Sequence, residues 1–263
     1  MNDAPATMTL PHQTAWLYRG FRKYCVRSAR KHFHAVRLSQ SGSPLPCDGS
    51  PILIAMNHPG WWDPIVGCVL SLEFKGYSHF AAIDAVAVQK YAVMKRLGFV
   101  PVDRTSLRGA AEFLKTGEVI LSQPRTAFWL TAQGEFADVR QRPLALQSGV
   151  GHLAARMTSG CVLPVALEYC FWNESKPEAL IRVGEMMRIE SGRNAKVWTA
   201  RIEDALTNTL ERLNAEAMSR DAAKFASLVA GRAGMGGIYD FARRVKAMLT
   251  GKKFDASHGG ESA

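Results

Sequence analysis

The chain contains no long apolar run. No window reaches the roughly 18 uncharged apolar residues that a membrane-spanning helix requires, so contact with a membrane would have to be made by lying on it. Cysteine is sparse and irregular. Cys25, Cys47, Cys68, Cys161 and Cys170 are odd in number and form no C-x-x-C pair, which excludes a disulfide framework and a cysteine zinc site. Reduced, mostly buried thiols in a cytoplasmic protein are expected instead. No Pro/Gly/Ser-rich linker divides the 263 residues and no internal repeat occurs, so one domain with terminal extensions is expected. Residues 1–11 are polar and small, unlike a signal peptide. There is no G-x-S-x-G elbow, H-E-x-x-H pair, P-loop or EF-hand loop. His12, His32, His34, His79, His152 and His258 lack ligand spacing, so no metal site is expected. Acid is also short: 23 Asp and Glu stand against 33 Lys and Arg, a formal net charge of +10 with a pI near 9.6. That surplus favours an anionic partner, whether a lipid surface, nucleic acid or a phosphorylated substrate.

Six of these cations crowd into one segment near the start of the chain. Residues 14–34 read as a helix in which Trp16, Leu17, Phe21, Tyr24, Val26 and Phe33 alternate with Arg19, Arg22, Lys23, Arg27, Arg30 and Lys31. Such a helix suits a membrane interface, cations toward anionic headgroups and rings toward the acyl boundary. It equally suits a solvated helix packed through its aromatics, and the sequence leaves both readings open. Beyond it, short apolar runs alternate with helical stretches. Strands are expected at 51–57, 79–84, 99–102, 126–131, 161–169 and 180–189. Helices are expected at 64–72, 87–97, 106–121, 146–157, 197–229 and 238–249. This alternation predicts an α/β fold, a single-domain, mostly parallel mixed sheet flanked by helices. The expected organisation is a basic leader and helix over 1–34, one domain over 35–250 and a disordered tail over 251–263.

The most informative stretch is Asn57-His58-Pro59-Gly60-Trp61-Trp62-Asp63, directly after the apolar run PILIAM. Residues five apart on a regular helix point about 140° away from each other, so His58 and Asp63 cannot meet on one. Pro59-Gly60 breaks any such helix. The strand can then end in a turn, and Asp63 can open the next helix with its carboxylate reaching back. A carboxylate bonded to one imidazole nitrogen fixes the tautomer and makes the other nitrogen a base. That base can take a proton from a hydroxyl attacking a thioester, with no protein nucleophile required. A turn histidine beside a capping aspartate is the plainer alternative. Trp61 and Trp62 suit an acyl groove, a bilayer interface or the core.

Three further segments keep this one company. Gly98-Phe99-Val100-Pro101-Val102-Asp103-Arg104, Thr131-Ala132-Gln133-Gly134-Glu135-Phe136 and Val162-Leu163-Pro164-Val165-Ala166 follow in order. With Asn57, His58 and Asp63 they make the chain resemble the lysophospholipid or glycerol-phosphate acyltransferase family from about residue 35 to 190. The resemblance implies His58 as general base, Asp63 as its orienting partner and Asn57 within the substrate site. It implies Arg104 as a contact for an anionic headgroup, and Gln133, Gly134 and Glu135 as shapers of the acceptor site. It implies no cofactor, with acyl-CoA or acyl-acyl carrier protein as co-substrate, and a peripheral position on the cytoplasmic face of the membrane. The third segment departs from the family, which usually carries Phe-Pro-Glu-Gly followed by Thr-Arg. Here Gln133 holds the glutamate position and Phe136 the arginine position, with Glu135, Arg140 and Arg142 near enough to substitute.

Other readings were weighed against this one. Gly149-Val150-Gly151-His152-Leu153-Ala154 spells G-x-G-x-x-A, but no buried strand precedes it and no acid follows at the right distance, so a helix start is expected rather than a dinucleotide site. A nucleic-acid role would need a recognisable binding motif, and none occurs. The expected activity is transfer of a fatty acyl group to a hydroxyl of a lysophospholipid or related lipid. The alternatives are an aminolipid or glycolipid acceptor, or a non-catalytic lipid-binding protein on the same scaffold.

Overall fold

A computed structural model describes residues 9–190 and 192–231. The expected helix over 238–249 and tail over 251–263 lie outside the described residues. Helix α1 (Ala15–His32) leads into β1 (Ala35–Ser39), then β2 (Ile52–Met56), α2 (Asp63–Leu70), β3 (Ser78–Asp84), α3 (Ala85–Lys90) and β4 (Phe99–Val102). Next come α4 (Leu107–Leu121), β5 (Thr126–Thr131), α5 (Gly149–Arg156), β6 (Cys161–Cys170), β7 (Glu178–Val183), β8 (Met187–Arg188), α6 (Ala195–Ser219) and β9 (Phe225–Ala230). The strands form one mixed sheet in the order β4-β3-β5-β2-β6-β7-β1-β9, with β8 paired to the start of β6. Pairing is parallel from β4 through β6 and between β7 and β1; β6–β7, β6–β8 and β1–β9 are antiparallel. This is the mostly parallel α/β sheet that the alternating pattern predicts.

Strand β2 shows why the sheet is covered on both faces. All five of its residues are buried. Ile52, Ile54 and Met56 enter a core with residues of α1 and α2, whereas Leu53 and Ala55 enter a second core with Phe113, Phe128, Leu153 and Trp198. A strand with no solvent face cannot alternate in polarity, which is why it reads as a continuous apolar run. From β2 the chain runs outward to β3 and β4 on one side, and β6 lies on the other. The carboxyl end of β2 is therefore a switch point of the topology, where ligands of open α/β sheets bind.

Four expectations are corrected. The stretch 197–229 is not one helix: α6 ends at Ser219, Arg220 adopts a left-handed conformation with φ 51°, and Phe225–Ala230 pairs antiparallel with β1. Apolar residues in a short run fit either period, and the partner strand β1, itself absent from the sequence reading, decides. The stretch 180–189 is two strands, since after Val183 the chain turns at Gly184, whose N–H bonds to Pro164 O. A Cβ on Gly184 would lie 2.0 Å from Thr209 Oγ1 of α6, so the turn presses against that helix. The stretch 87–97 divides at Tyr91 into α3 and a 3₁₀ turn, Ala92–Arg96. The stretch 146–157 becomes helical only at Gly149, giving α5.

Helix α1 packs on the domain. Cys25, Ala29 and Phe33 are buried on it, and Phe21 stacks edge-on against Phe99 with ring centroids 5.8 Å apart. Its opposite side exposes Trp16 and Tyr24 among its cations.

Candidate active site

The site begins where β2 stops. Parallel pairing sets Met56 beside Thr131 of β5 and Val165 of β6, so the next residues emerge between two loops. Asn57 turns inward and is buried. Its Nδ2 donates to Leu167 O at 2.9 Å, and its Oδ1 accepts from Leu167 N at 2.7 Å. The side chain expected in the substrate site thus clamps the end of β2 to β6, with both polar atoms occupied. The His58 backbone is held on the other flank. Its N–H donates to Gln133 Oε1 at 2.8 Å, and its carbonyl accepts from Ala137 N at 3.0 Å.

The turn at Pro59-Gly60 returns the chain so that Asp63 opens α2, where a carboxylate also complements the positive end of the helix dipole. Asp63 is fully buried. Its Oδ2 lies 2.5 Å from His58 Nδ1 and accepts from Gly60 N at 3.3 Å, while its Oδ1 accepts from the Tyr169 hydroxyl at 2.6 Å. The carboxylate fixes Nδ1 as the protonated nitrogen and leaves the Nε2 lone pair free. The His58 side chain is 18% exposed and makes no Nε2 hydrogen bond to any described residue. Phe136 stands edge-on to the imidazole, ring centroids 4.6 Å apart, and is itself largely exposed. The arrangement suits proton abstraction from a group arriving from solvent. Trp62 packs against Phe33 and His32, whereas Trp61 is exposed.

Residues 31–168 match the family model described as Acyltransferase. The chain belongs to this acyltransferase family. A solved structure with a similar fold is the 1-acyl-sn-glycerophosphate (LPA) acyltransferase PlsC from Thermotoga maritima, with a TM-score of 0.52 and 13% sequence identity over 76% of this chain and 81% of that one. No curated protein matches the chain.

Three of the residues singled out for the acyltransferase's acceptor lie together on the loop after β5. Gln133 is buried with its amide fully used, Oε1 by His58 N and Nε2 by Leu144 O at 3.1 Å. Gly134 has φ +74°, and a Cβ there would come within 2.9 Å of Gln147 Cγ and 3.2 Å of Arg104 Nη1. Glycine is required by that conformation and by that crowding. Glu135 is exposed. Arg104 reaches this loop from beyond β4: its Nη1 donates to Gly134 O at 2.5 Å, and its Nη2 lies 4.0 Å from Asp84. About half of the Arg104 side chain remains exposed. Arg140 and Arg142 are engaged elsewhere, Arg140 in a fork on Asp138 and Arg142 with Val139 O, Gln141 O and, at 3.6 Å, Glu211 of α6. Neither takes the place of the motif arginine.

A mostly apolar cavity adjoins the dyad through Asp63. Asp63, Pro64, Gly67, Thr131 and Trp129 line it near the site; Tyr18, Phe21, Leu97 and Phe99 line it beyond. His79 lies in the wall, where its Nδ1 accepts from Trp129 Nε1 at 3.0 Å. Burial, with Arg22 nearby, lowers the His79 pKa to about 4, so this histidine stays neutral at neutral pH. Burial likewise raises Tyr18 to about 12.

The sequence reading missed Tyr169, Phe136 as a neighbour of His58, and the clamp role of Asn57. No spacing signal marks Tyr169, because its contact with Asp63 is made across 106 residues. The G-x-G-x-x-A segment opens α5 as expected. A Cβ on Gly151 would lie 2.1 Å from Thr199 Oγ1, so this glycine permits α5 to press against α6. All five cysteines are free, with Cys25, Cys68 and Cys161 buried. Among the described residues no helix is long and apolar enough to cross a membrane, and no group of His, Cys, Asp or Glu is arranged to hold a metal.

Proposed function

We propose that this acyltransferase moves a fatty acyl group from a thioester donor, acyl-CoA or acyl-acyl carrier protein, to a hydroxyl of a lysophospholipid or related lipid. The observation that carries this reading is the His58–Asp63 pair at the carboxyl end of β2, with Nε2 unbonded by any described residue and an apolar cavity against Asp63. His58 Nε2 takes the proton of the acceptor hydroxyl as its oxygen attacks the thioester carbonyl. The tetrahedral intermediate expels the thiolate as the C–S bond breaks, and the imidazolium returns the proton to sulfur. Asp63 orients the ring and stabilises the transient imidazolium without taking the proton. The cavity, apolar over most of its lining, takes the acyl chain.

Arg104 retains free donors for an anionic headgroup. A second acceptor reading, an aminolipid or glycolipid without a phosphate, is favoured by two observations. The Gln133 amide is consumed internally, and Arg104 already meets Gly134 O and stands beside Asp84.

The partner surface is an anionic membrane. Segments 15–32 and 84–108 together hold eleven Lys and Arg against two Asp, and they adjoin where Thr14 N donates to Arg96 O. Trp16, Tyr24, Val86, Tyr91, Val93 and Leu107 stand exposed among those cations. Both segments also wall the cavity, through Tyr18 and Phe21 on one and Leu97 and Phe99 on the other. Apolar side chains set among cations match the boundary between headgroups and acyl chains.

The test is transfer from labelled acyl-CoA and acyl-acyl carrier protein to lysophosphatidate, neutral lyso-lipids and glycolipids, comparing wild type with His58→Ala. A folded His58→Ala variant is expected to lose activity by 10²-fold or more, as removal of a general base does. A variant as active as wild type removes His58 from its role. An inactive wild type across the whole panel points to the non-catalytic lipid-binding alternative.

A further inference from the structure

We infer that Tyr169 is a positioning residue for the acyl-transfer step, holding Asp63 so that Asp63 can hold His58. The inference rests on the assignment of His58 as base.

The argument starts from the carboxylate. The terminal torsion of an aspartate is broad and roughly two-fold, so a single hydrogen bond to an imidazole does not set the plane of the group. Asp63 has three donors, two from the turn after β2 and one from β6. His58 Nδ1 and Gly60 N converge on Oδ2, and the Tyr169 hydroxyl binds Oδ1 at 2.6 Å. Without Tyr169, Oδ1 would be a fully buried anionic oxygen with no partner among the described residues, and the plane of the group would be set from one side alone.

Tyr169 is built to remain a donor. It is half-buried, and the loss of solvent around the hydroxyl first, then the Asp63 carboxylate, raises its pKa well above the usual phenol value. A phenol held protonated beside a carboxylate donates a short, charge-assisted hydrogen bond throughout the working pH range.

The fold places the hydroxyl through the sheet. Side chains alternate along β6, so Leu163, Val165, Leu167 and Tyr169 share the face that α2 covers. Strand β6 runs past the end of its neighbour β2, bringing Tyr169 level with the turn that follows. Asn57 sits in that gap, with both amide atoms bonded to the Leu167 backbone. The residue before His58 is thereby tied to the residue two before Tyr169. Phe33 packs on the tyrosine ring with centroids 5.7 Å apart, filling the remaining side.

Tyr169→Phe keeps the ring and removes the hydroxyl. In the full chain it is expected to lower kcat about tenfold or more with KM for the acyl donor within twofold, and to shift the acid limb of the pH–rate profile. Tyr169 acts through Asp63, so the same change in an Asp63→Asn background is expected to cost less than twofold. A purely structural tyrosine would lower the unfolding midpoint and leave kcat per folded molecule and the pH profile unmoved; that result overturns the inference. Equal losses from Tyr169→Phe in the wild-type and Asp63→Asn backgrounds overturn it as well. If His58→Ala retains activity, the base assignment fails instead, so the two failures are distinguishable.

Discussion

The two sides of the site are built differently. On the dyad side, Asn57, Asp63, Gln133 and Tyr169 are buried or nearly so, and their polar atoms are committed to one another or to backbone groups on β6 and the loop after β5. On the acceptor side, Arg104, Glu135 and Phe136 are exposed. Arg104 touches the protein through a single carbonyl and a carboxylate 4.0 Å away. Buried, satisfied networks hold one geometry because every alternative leaves a polar atom unpaired. Exposed charges keep their rotamers and exchange partners with water at little cost. On the proposed mechanism, the rigid side is the one where a proton would move over a fixed distance, and the adaptable side the one that would admit a headgroup.

The largest expected effect lies on the buried side and depends on pH. His79 has its pKa lowered to about 4 by burial, whereas the unfolded chain titrates near 6.5. Between those values the unfolded state binds the extra proton, so stability is complete above about pH 6.5 and is lost as pH falls toward 4. The loss amounts to about 3 kcal/mol at the low end. Denaturant midpoints measured across this range should fall in wild type and flatten in His79→Gln; parallel curves would place the titration elsewhere.

Asn57→Ala comes next. Removing the amide leaves the Leu167 N–H and C=O unpaired in the core, at a cost of about 2–3 kcal/mol. If unfolding shows a loss below about 0.5 kcal/mol while substrate KM rises, Asn57 is a binding residue after all and the clamp is secondary.

On the exposed side the effects are smaller and selective. Arg104→Ala should reduce turnover of phosphorylated acceptors about tenfold, the scale of one charge-assisted hydrogen bond, and leave neutral acceptors within about twofold. Equal loss for both classes removes the headgroup role and blurs the contrast between the two sides. Replacing Lys90, Lys95 or Arg96 singly by Ala should weaken binding to anionic vesicles by about fivefold each, near 1 kcal/mol per basic residue, with a loss that shrinks at high salt. No change in vesicle sedimentation would turn attention to the cations of α1 alone. Deleting α1 is not a clean test, because Cys25, Ala29 and Phe33 belong to the core.

The 14–34 helix was legible from its composition, yet the side that packs and the side that faces solvent appeared only with α2, β1 and β9 in place. Residues 225–229 fit the end of the expected helix because a short apolar run suits either period, and pairing with β1 makes them strand. The motif places Asn57 in the substrate site, and the structure adds that its buried amide ties the end of β2 to β6.

By itself the sequence determined the local grammar. The apolar run PILIAM ends at a Pro-Gly break, so a strand, a turn and a helix follow in order, and His58 and Asp63 can meet only across that break. It also determined the net charge, because ionisable side chains need no folding to be counted. What only the tertiary structure decided are the contacts made across long separations: Tyr169 on Asp63, Gln133 on the His58 backbone, Arg104 on Gly134, and the cavity beside them. The reason is geometric. Local spacing fixes which way a side chain leaves its own element, whereas strand order and register, set by burial of the whole sheet, fix what it meets.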